Sequence, residues 1–394
     1  MITRVTSALA RGSASEAAAQ LAAQLRGSDQ AFAPAIVFVF SSREQPLELL
    51  LPDLAARFPG SAVIGASTAG EFTERGDTKD AACALAVSGD YRVFTGVGAG
   101  LAADPERALT SALEGQPLHV RGYPHRAAVL LLDPLAGNGE ETTLLASALL
   151  GENALLAGGA AGDYLAMKQT HVGSGAKVCS DAVVIAQIFS KQPLGIGLSH
   201  GHRAISEPLC VTSAKGNTVH TINERPAWDV WREHAKTAAA ARGIDVSTLR
   251  AEDVPGFLLQ YEAGLNVGCD IKLRAPLSLG ENGAINFACG IPKGTVFRIT
   301  ESDADRQVSS ARNAARLARE RLGGAPAAGA VVFDCICRNL ILGERFDAAV
   351  RAISQELGDV PISGFETYGE IALDVGEMSG FHNTTSVVLA FPQG

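Results

Sequence analysis

Short, unbroken apolar runs alternate along this chain with longer stretches of helical periodicity. Ala35–Phe40, Ala127–Leu132 and Ala330–Phe333 contain no polar residue, the pattern of a strand covered on both faces. Each precedes a helix-like stretch, at 47–58, 140–150 and 346–357. In the last, Phe346, Val350, Ile353 and Leu357 recur at i, i+4, i+7 and i+11, which predicts one apolar face. In the first, Pro52 must sit near the helix start or divide it. A second short apolar run follows (62–65, 154–157, 361–364), then a Gly-rich corner, then a closing strand (81–87, 182–189, 384–391). Residues 13–26 read as a further helix, capped by Ser13 or Ser15.

The corners are Gly65-Ala-Ser-Thr-Ala-Gly-Glu71, Ala157-Gly-Gly-Ala-Ala-Gly-Asp163 and Gly364-Phe-Glu-Thr-Tyr-Gly-Glu370. Phe40 and Leu132 each lie 30 positions before a corner glycine, which supports a true repeat. Gly70, Gly162 and Gly369 are expected to take positive φ where the chain turns. One unit is too small to bury its own apolar face, so the copies must pack into shared sheets. Between copies two and three, 226–242 reads as a helix carrying Trp228 and Trp231, a packing face. Residues 257–261, 265–273, 285–289 and 296–299 read as β-rich, and 303–322 returns to helix. The expected architecture is α/β and two-domain, with repeated strand–helix–strand–corner–strand units packed into mixed sheets. The domains are placed at 29–221 and 222–394, after an N-terminal helix region at 1–28.

Composition narrows the function classes. With 394 residues, 47% of them hydrophobic, the chain can bury a full core. A net charge of −9 argues against the basic footprint of a nucleic-acid binder. No apolar run reaches the length of a membrane span, and Met1-Ile-Thr-Arg-Val lacks the core of a secretory signal. Seven cysteines, an odd number lying mostly inside apolar runs, fit reduced thiols in the cytoplasm. Cys335-Ile-Cys337 lacks the second pair that a structural zinc site requires. There is no phosphate-binding Gly-x-x-x-x-Gly-Lys loop, no Gly-x-Ser-x-Gly elbow and no His-Glu-x-x-His pair, so no enzyme is expected.

The corners, Leu132-Asp-Pro-Leu-Ala-Gly-Asn-Gly139, Ala214-Lys-Gly-Asn-Thr-Val219, Ile291-Pro-Lys-Gly294 and His382-Asn-Thr-Thr385 together resemble the FIST family of intracellular sensory proteins. The resemblance spans roughly residues 30–391, with the family's N-terminal and C-terminal modules in tandem. It implies a small-ligand-binding protein. Two ligand classes go with the family: metabolites such as amino acids, and haem in a nitric-oxide-responsive subgroup. The chain resembles a stand-alone member, so a signal is expected to pass to a separate partner, a histidine kinase or a cyclic-di-GMP enzyme. Homodimerisation is left open.

Two candidate sites follow. For haem, His200 and His202 in Gly195-Ile-Gly-Leu-Ser-His-Gly-His-Arg203 are the imidazoles expected at iron, His202 foremost. Gly201 gives access to a flat macrocycle, and Arg203 pairs with a propionate. For a metabolite, Ser67, Thr68 and Thr367 with the corner amides form an anion-accepting nest. Glu71, Asp163 and Glu370 bind an amine or satisfy loop amides, and Tyr368 and His382 lie close to the third corner. His220 and His234 are read as solvated or core histidines.

Overall fold

The computed structural model describes residues 2–29, 31–151, 154–267, 270–373 and 380–394. The chain runs three times through one order: edge strand, helix, first strand, helix, second strand, corner, short hairpin, closing strand. In copy one the strands are Arg4–Ala10, Ile36–Ser41, Ala62–Ser67, the hairpin Glu71–Thr73 and Gly76–Thr78, and Ala82–Ser88. Copy two has Tyr91–Ala99, His125–Leu132, Leu155–Ala160, the hairpin Val172–Ser174 and Lys177–Cys179, and Ala182–Ser190. Copy three has Gly195–His200, Ala327–Cys335, Ile362–Thr367, the hairpin Glu370–Leu373 and Phe381–His382, and Thr385–Pro392. First and second strands pair in parallel across each helical crossover, and closing strands return antiparallel.

The copies exchange hairpins in a cycle. Each six-stranded sheet holds the edge, closing, first and second strands of one copy, then a hairpin from another. The copy-one hairpin joins the copy-three sheet, the copy-three hairpin joins the copy-two sheet, and the copy-two hairpin joins the copy-one sheet. One face of all three sheets meets in a common core of Phe38, Phe40, Leu131, Phe333, Phe365 and Phe391. Phe40 and Phe365, from different copies, lie 4.5 Å apart by ring centroid. Helices cover the outer faces, each copy with its own apolar layer.

Gly65, Gly158 and Gly364 mark one point in the three second strands. A Cβ there would fall 2.5, 1.9 and 2.3 Å from the carbonyl oxygens of Val39, Leu130 and Val332 on the adjoining first strands. That alignment makes Phe40 equivalent to Leu131 rather than Leu132, so the equal spacing of 30 is a coincidence one residue out of register.

Residues 201–303 are inserted between the edge strand and the first helix (Ala304–Glu320) of copy three. They form a second domain: a nine-stranded sheet with helices Ala227–Ala240 and Val254–Gln260. Trp231 anchors its core, stacked 5.8 Å from Phe297, with its indole N–H donating to Tyr261 O at 3.0 Å. The sheets therefore divide near 201 and 303. The N-terminal helix (Ala14–Arg26) belongs to copy one instead of standing apart. Residues 257–261, expected as strand, are mostly helical because Val254, Phe257 and Leu258 form one buried face. The 265–273 run is two strands, Ala263–Val267 and Asp270–Arg274, and Cys269 lies outside the described residues.

Gly158→Ala sets a methyl group against backbone that cannot move aside, and is expected to cost about 3 kcal/mol or more. Gly256→Ala, inside a helix with nothing near its Cβ position, should instead stabilise by about 0.5–1 kcal/mol. Urea denaturation followed by circular dichroism checks both.

Candidate functional site

The corners gather at the end of the molecule where the parallel strands finish. Each corner is clamped to the next copy by a pair of backbone hydrogen bonds. Ala69 N donates to Glu366 O (3.1 Å) and Glu366 N to Gly70 O (2.8 Å); Gly162 N to Ser67 O (2.9 Å) and Ser67 N to His171 O (2.9 Å). Tyr368 N donates to Ala160 O (3.1 Å) and Ala160 N to Gly369 O (2.8 Å). These pairs show that Gly70 and Gly369 are equivalent, whereas Gly162 takes the place of Ala69 and Tyr368. Residues 163–170 are an insertion, and the counterpart of Glu71 and Glu370 is Val172.

None of the three corner glycines has positive φ, contrary to expectation. Close approach requires them: a Cβ on Gly70 would lie 2.6 Å from the Glu366 carboxylate, on Gly162 2.6 Å from Ala69 N, and on Gly369 2.3 Å from the Phe381 ring.

The corner acids thus separate into two kinds. Glu71 is fully buried, bonded to the Thr68 hydroxyl and to the Tyr164 hydroxyl at 2.9 Å, and burial pushes its carboxyl up to about 8. Glu370 is buried alike, takes the Thr367 hydroxyl at 2.5 Å and Thr385 N–H at 3.1 Å, and is raised by burial and by the adjacent Cys335. Asp163 instead accepts the N–H groups of Met167, Lys168 and Gln169 and the Tyr368 hydroxyl, which hold it ionised despite partial burial. Ser67 accepts His171 N–H and donates to Gly162 O, so it is committed to the clamp and not to an open nest.

The second domain covers this end. Leu259 and Ala275 pack with Ala69, Cys335, Ile336 and Cys337. Beside them Glu262, fully buried, accepts the Thr384 hydroxyl at 2.6 Å, while its other oxygen has no partner. Burial, with Glu370 nearby, lifts Glu262 to about 8. Thr384 holds φ at 54°, a left-handed conformation costly for a β-branched residue. Across the corner Glu366 shares Asn339 with Asp77 and is pushed to about 9 by burial and by that second acid. Asp334 pairs with Arg338 at 2.8 Å, both buried. A further ion cluster ties the domains, with Lys272 (2.8 Å) and Arg274 (2.6 Å) on Glu140 in the first turn of helix Gly139–Leu150.

His200, Gly201 and His202 form the crossing between domains. His202 is buried; its Nδ1 lies 3.0 Å from the Thr300 hydroxyl, and its Nε2 has no partner. Burial, then the charges of His200, Arg338 and Arg242, keep it neutral. It offers a lone pair suited to a metal. The rest of the expected haem setting is otherwise engaged. Arg203 is paired with Glu301 at 2.5 Å, and the face of Gly201 is filled by the Arg306–Gln307 backbone, 2.8 Å from a Cβ position. His382 lies in the second strand of the third hairpin with Nε2 3.2 Å from Ala372 O, and burial takes it down to about 3. Among the described residues no cluster of three His, Cys, Asp or Glu side chains is set to hold a metal ion.

The FIST N domain model matches residues 35–225, and the FIST C domain model matches residues 227–373. The chain belongs to the FIST family. No curated protein matches it. FIST domains are associated with sensory signalling, and this FIST chain has no described helix long and apolar enough to cross a membrane. The junction between the matched FIST modules falls inside the second structural domain, so in this chain the modules and the folding units do not coincide.

The acids that distinguish this FIST site were mostly missed from sequence. Glu366 stands inside the third corner, and Thr384 inside the His-Asn-Thr-Thr run, yet neither pattern tells which side chain turns inward. Glu262 had one signal, a lone acid between apolar segments.

Glu71 and Glu262 hold protons in the fold up to about pH 8 that the unfolded chain releases near its ordinary 4.5. Stability is therefore expected to fall as pH rises from about 5 to 8, by up to about 1.4 kcal/mol per pH unit for each group. Glu262→Gln should remove one such contribution to the slope, as read from urea midpoints across pH.

Proposed function

We propose that this chain is a ligand-binding sensory protein, without enzymatic activity of its own, whose second domain covers a small-metabolite site on the corner end. The reading rests on Glu262: a fully buried carboxyl with one oxygen fixed by a strained threonine and the other unpartnered, next to a second buried carboxyl. Both carboxyls hold their protons in the empty fold; an ammonium group that enters and displaces those protons would pair with the resulting carboxylates, and an amino acid is the simplest ligand of that kind. Binding between the domains offers a route from occupancy to shape, because a ligand that bridges Glu262 and Glu370 favours one seating of the second domain. The downstream partner in this reading is a separate signalling enzyme in the cytoplasm, a histidine kinase or a cyclic-di-GMP enzyme.

A thermal-shift screen of the common L-amino acids is the test. A ligand at a hundred times its Kd adds about 2.7 kcal/mol, which for a protein of this size is a rise of several degrees. Glu262→Gln should abolish that rise while leaving the unliganded protein folded. A flat response across the panel counts against the metabolite site.

A haem-based nitric-oxide sensor is the second reading, favoured by one atom, the buried and neutral Nε2 of His202. Haem would supply an iron able to take nitric oxide, with His202 as the side chain holding it. Titration with haemin should then produce a Soret band that His202→Ala removes or shifts. No band, or a band that both His202→Ala and His200→Ala leave unchanged, sinks this reading.

A further inference from the structure

At the opposite end, where the copy-two parallel strands begin, lies a cavity of about 540 Å³. That volume is in the range of small-molecule sites, and the mouth of a β-walled core is a common place for one. Its walls include Leu118, Leu155, Phe189 and Leu194, an apolar bed. Apart from Tyr123, every ionisable side chain among its described lining residues is a base.

Arg126 is the most informative of these. It is only 7% exposed, and its recorded acceptors are Leu118 O (2.9 Å), Gln187 Oε1 (3.3 Å) and Leu150 O (2.5 Å), all neutral. The Leu150 contact caps the helix Gly139–Leu150, which gives Arg126 a structural duty. It leaves a buried guanidinium with no carboxylate in ion-pair reach among the described residues. A buried charge without an opposite charge is costly, and an anion in the adjoining cavity relieves that cost. We propose that this cavity is a second ligand site, separate from the corner end, for a small organic anion with an apolar body: a carboxylate or a phosphate monoester directed at Arg126 over the leucine and phenylalanine bed.

Isothermal titration with hexanoate, hexyl phosphate and the neutral hexanamide tests this on the full chain. At least one of the two anions should bind about tenfold tighter than hexanamide, and which anion is tighter identifies the head group. Arg126 also caps a helix, so its removal risks the fold. Leu118, 48% exposed on the rim, is the safer position. Leu118→Glu removes part of the apolar bed for every ligand and adds a negative charge felt by the anions alone, so it should weaken the anions about tenfold more than it weakens hexanamide. Glu262→Gln should leave hexanoate and hexyl phosphate binding untouched, which separates this site from the one at the corners. Equal affinity for hexanamide and both anions, no anion binding at millimolar concentration, or anion binding unaffected by Leu118→Glu would each overturn the proposal.

Discussion

A second strand that ends a sheet presents a row of unpaired backbone groups, and in this protein all three such edges carry a hairpin from another copy. Much else follows from that requirement. The exchanged hairpins draw the corners together, because each hairpin begins where its own corner ends. They also force the glycines at 70 and 162, since residues of a neighbouring copy stand where a side chain would, while Gly369 makes room for Phe381 of its own hairpin. The common aromatic core is the complement of the same arrangement: three sheets locked edge to hairpin must turn one face inward together.

Corners brought this close carry acids into the interior. Glu71 and Glu370 keep the same local partner, a threonine three residues before them, which is the signature of a shared structural role. The two differ in what lies beyond. Glu71 is closed off by Tyr164 from the inserted loop, where Tyr164, Leu165 and Met167 all hold left-handed φ. Glu370 faces the second domain and Glu262. The repeat therefore supplies a scaffold, and departures from threefold likeness supply the chemistry.

The repeat was legible because strands buried on both faces leave unbroken apolar runs, and Ala35–Phe40 and Ala127–Leu132 are of that kind. Edge strands were not. Tyr91–Ala99 mixes polar and apolar residues because it is covered on one face only, and it gives no continuous run. The hairpin exchange was hidden as well, since Glu71–Thr73 and Gly76–Thr78 carry no mark of the sheet they join. At the site, Thr68, Glu71, Thr367 and Glu370 were named from the motif. Asp163 was named by a likeness that an insertion of eight residues, 163–170, had made false. Burial of Glu262 and Glu366 depends on contacts more than a hundred positions away, and local spacing cannot express that.

The order of hairpin exchange also sets an order of completion as the chain emerges from the ribosome. The copy-one sheet needs only a hairpin from copy two, so it can close once residue 179 is available. The copy-two sheet must wait for the hairpin strands Glu370–Leu373 and Phe381–His382, and the copy-one hairpin has no host until the strand Ile362–Thr367 exists. Until residues 362–382 are made, the nascent protein therefore carries one open strand edge and one unhoused hairpin, and that short stretch retires both.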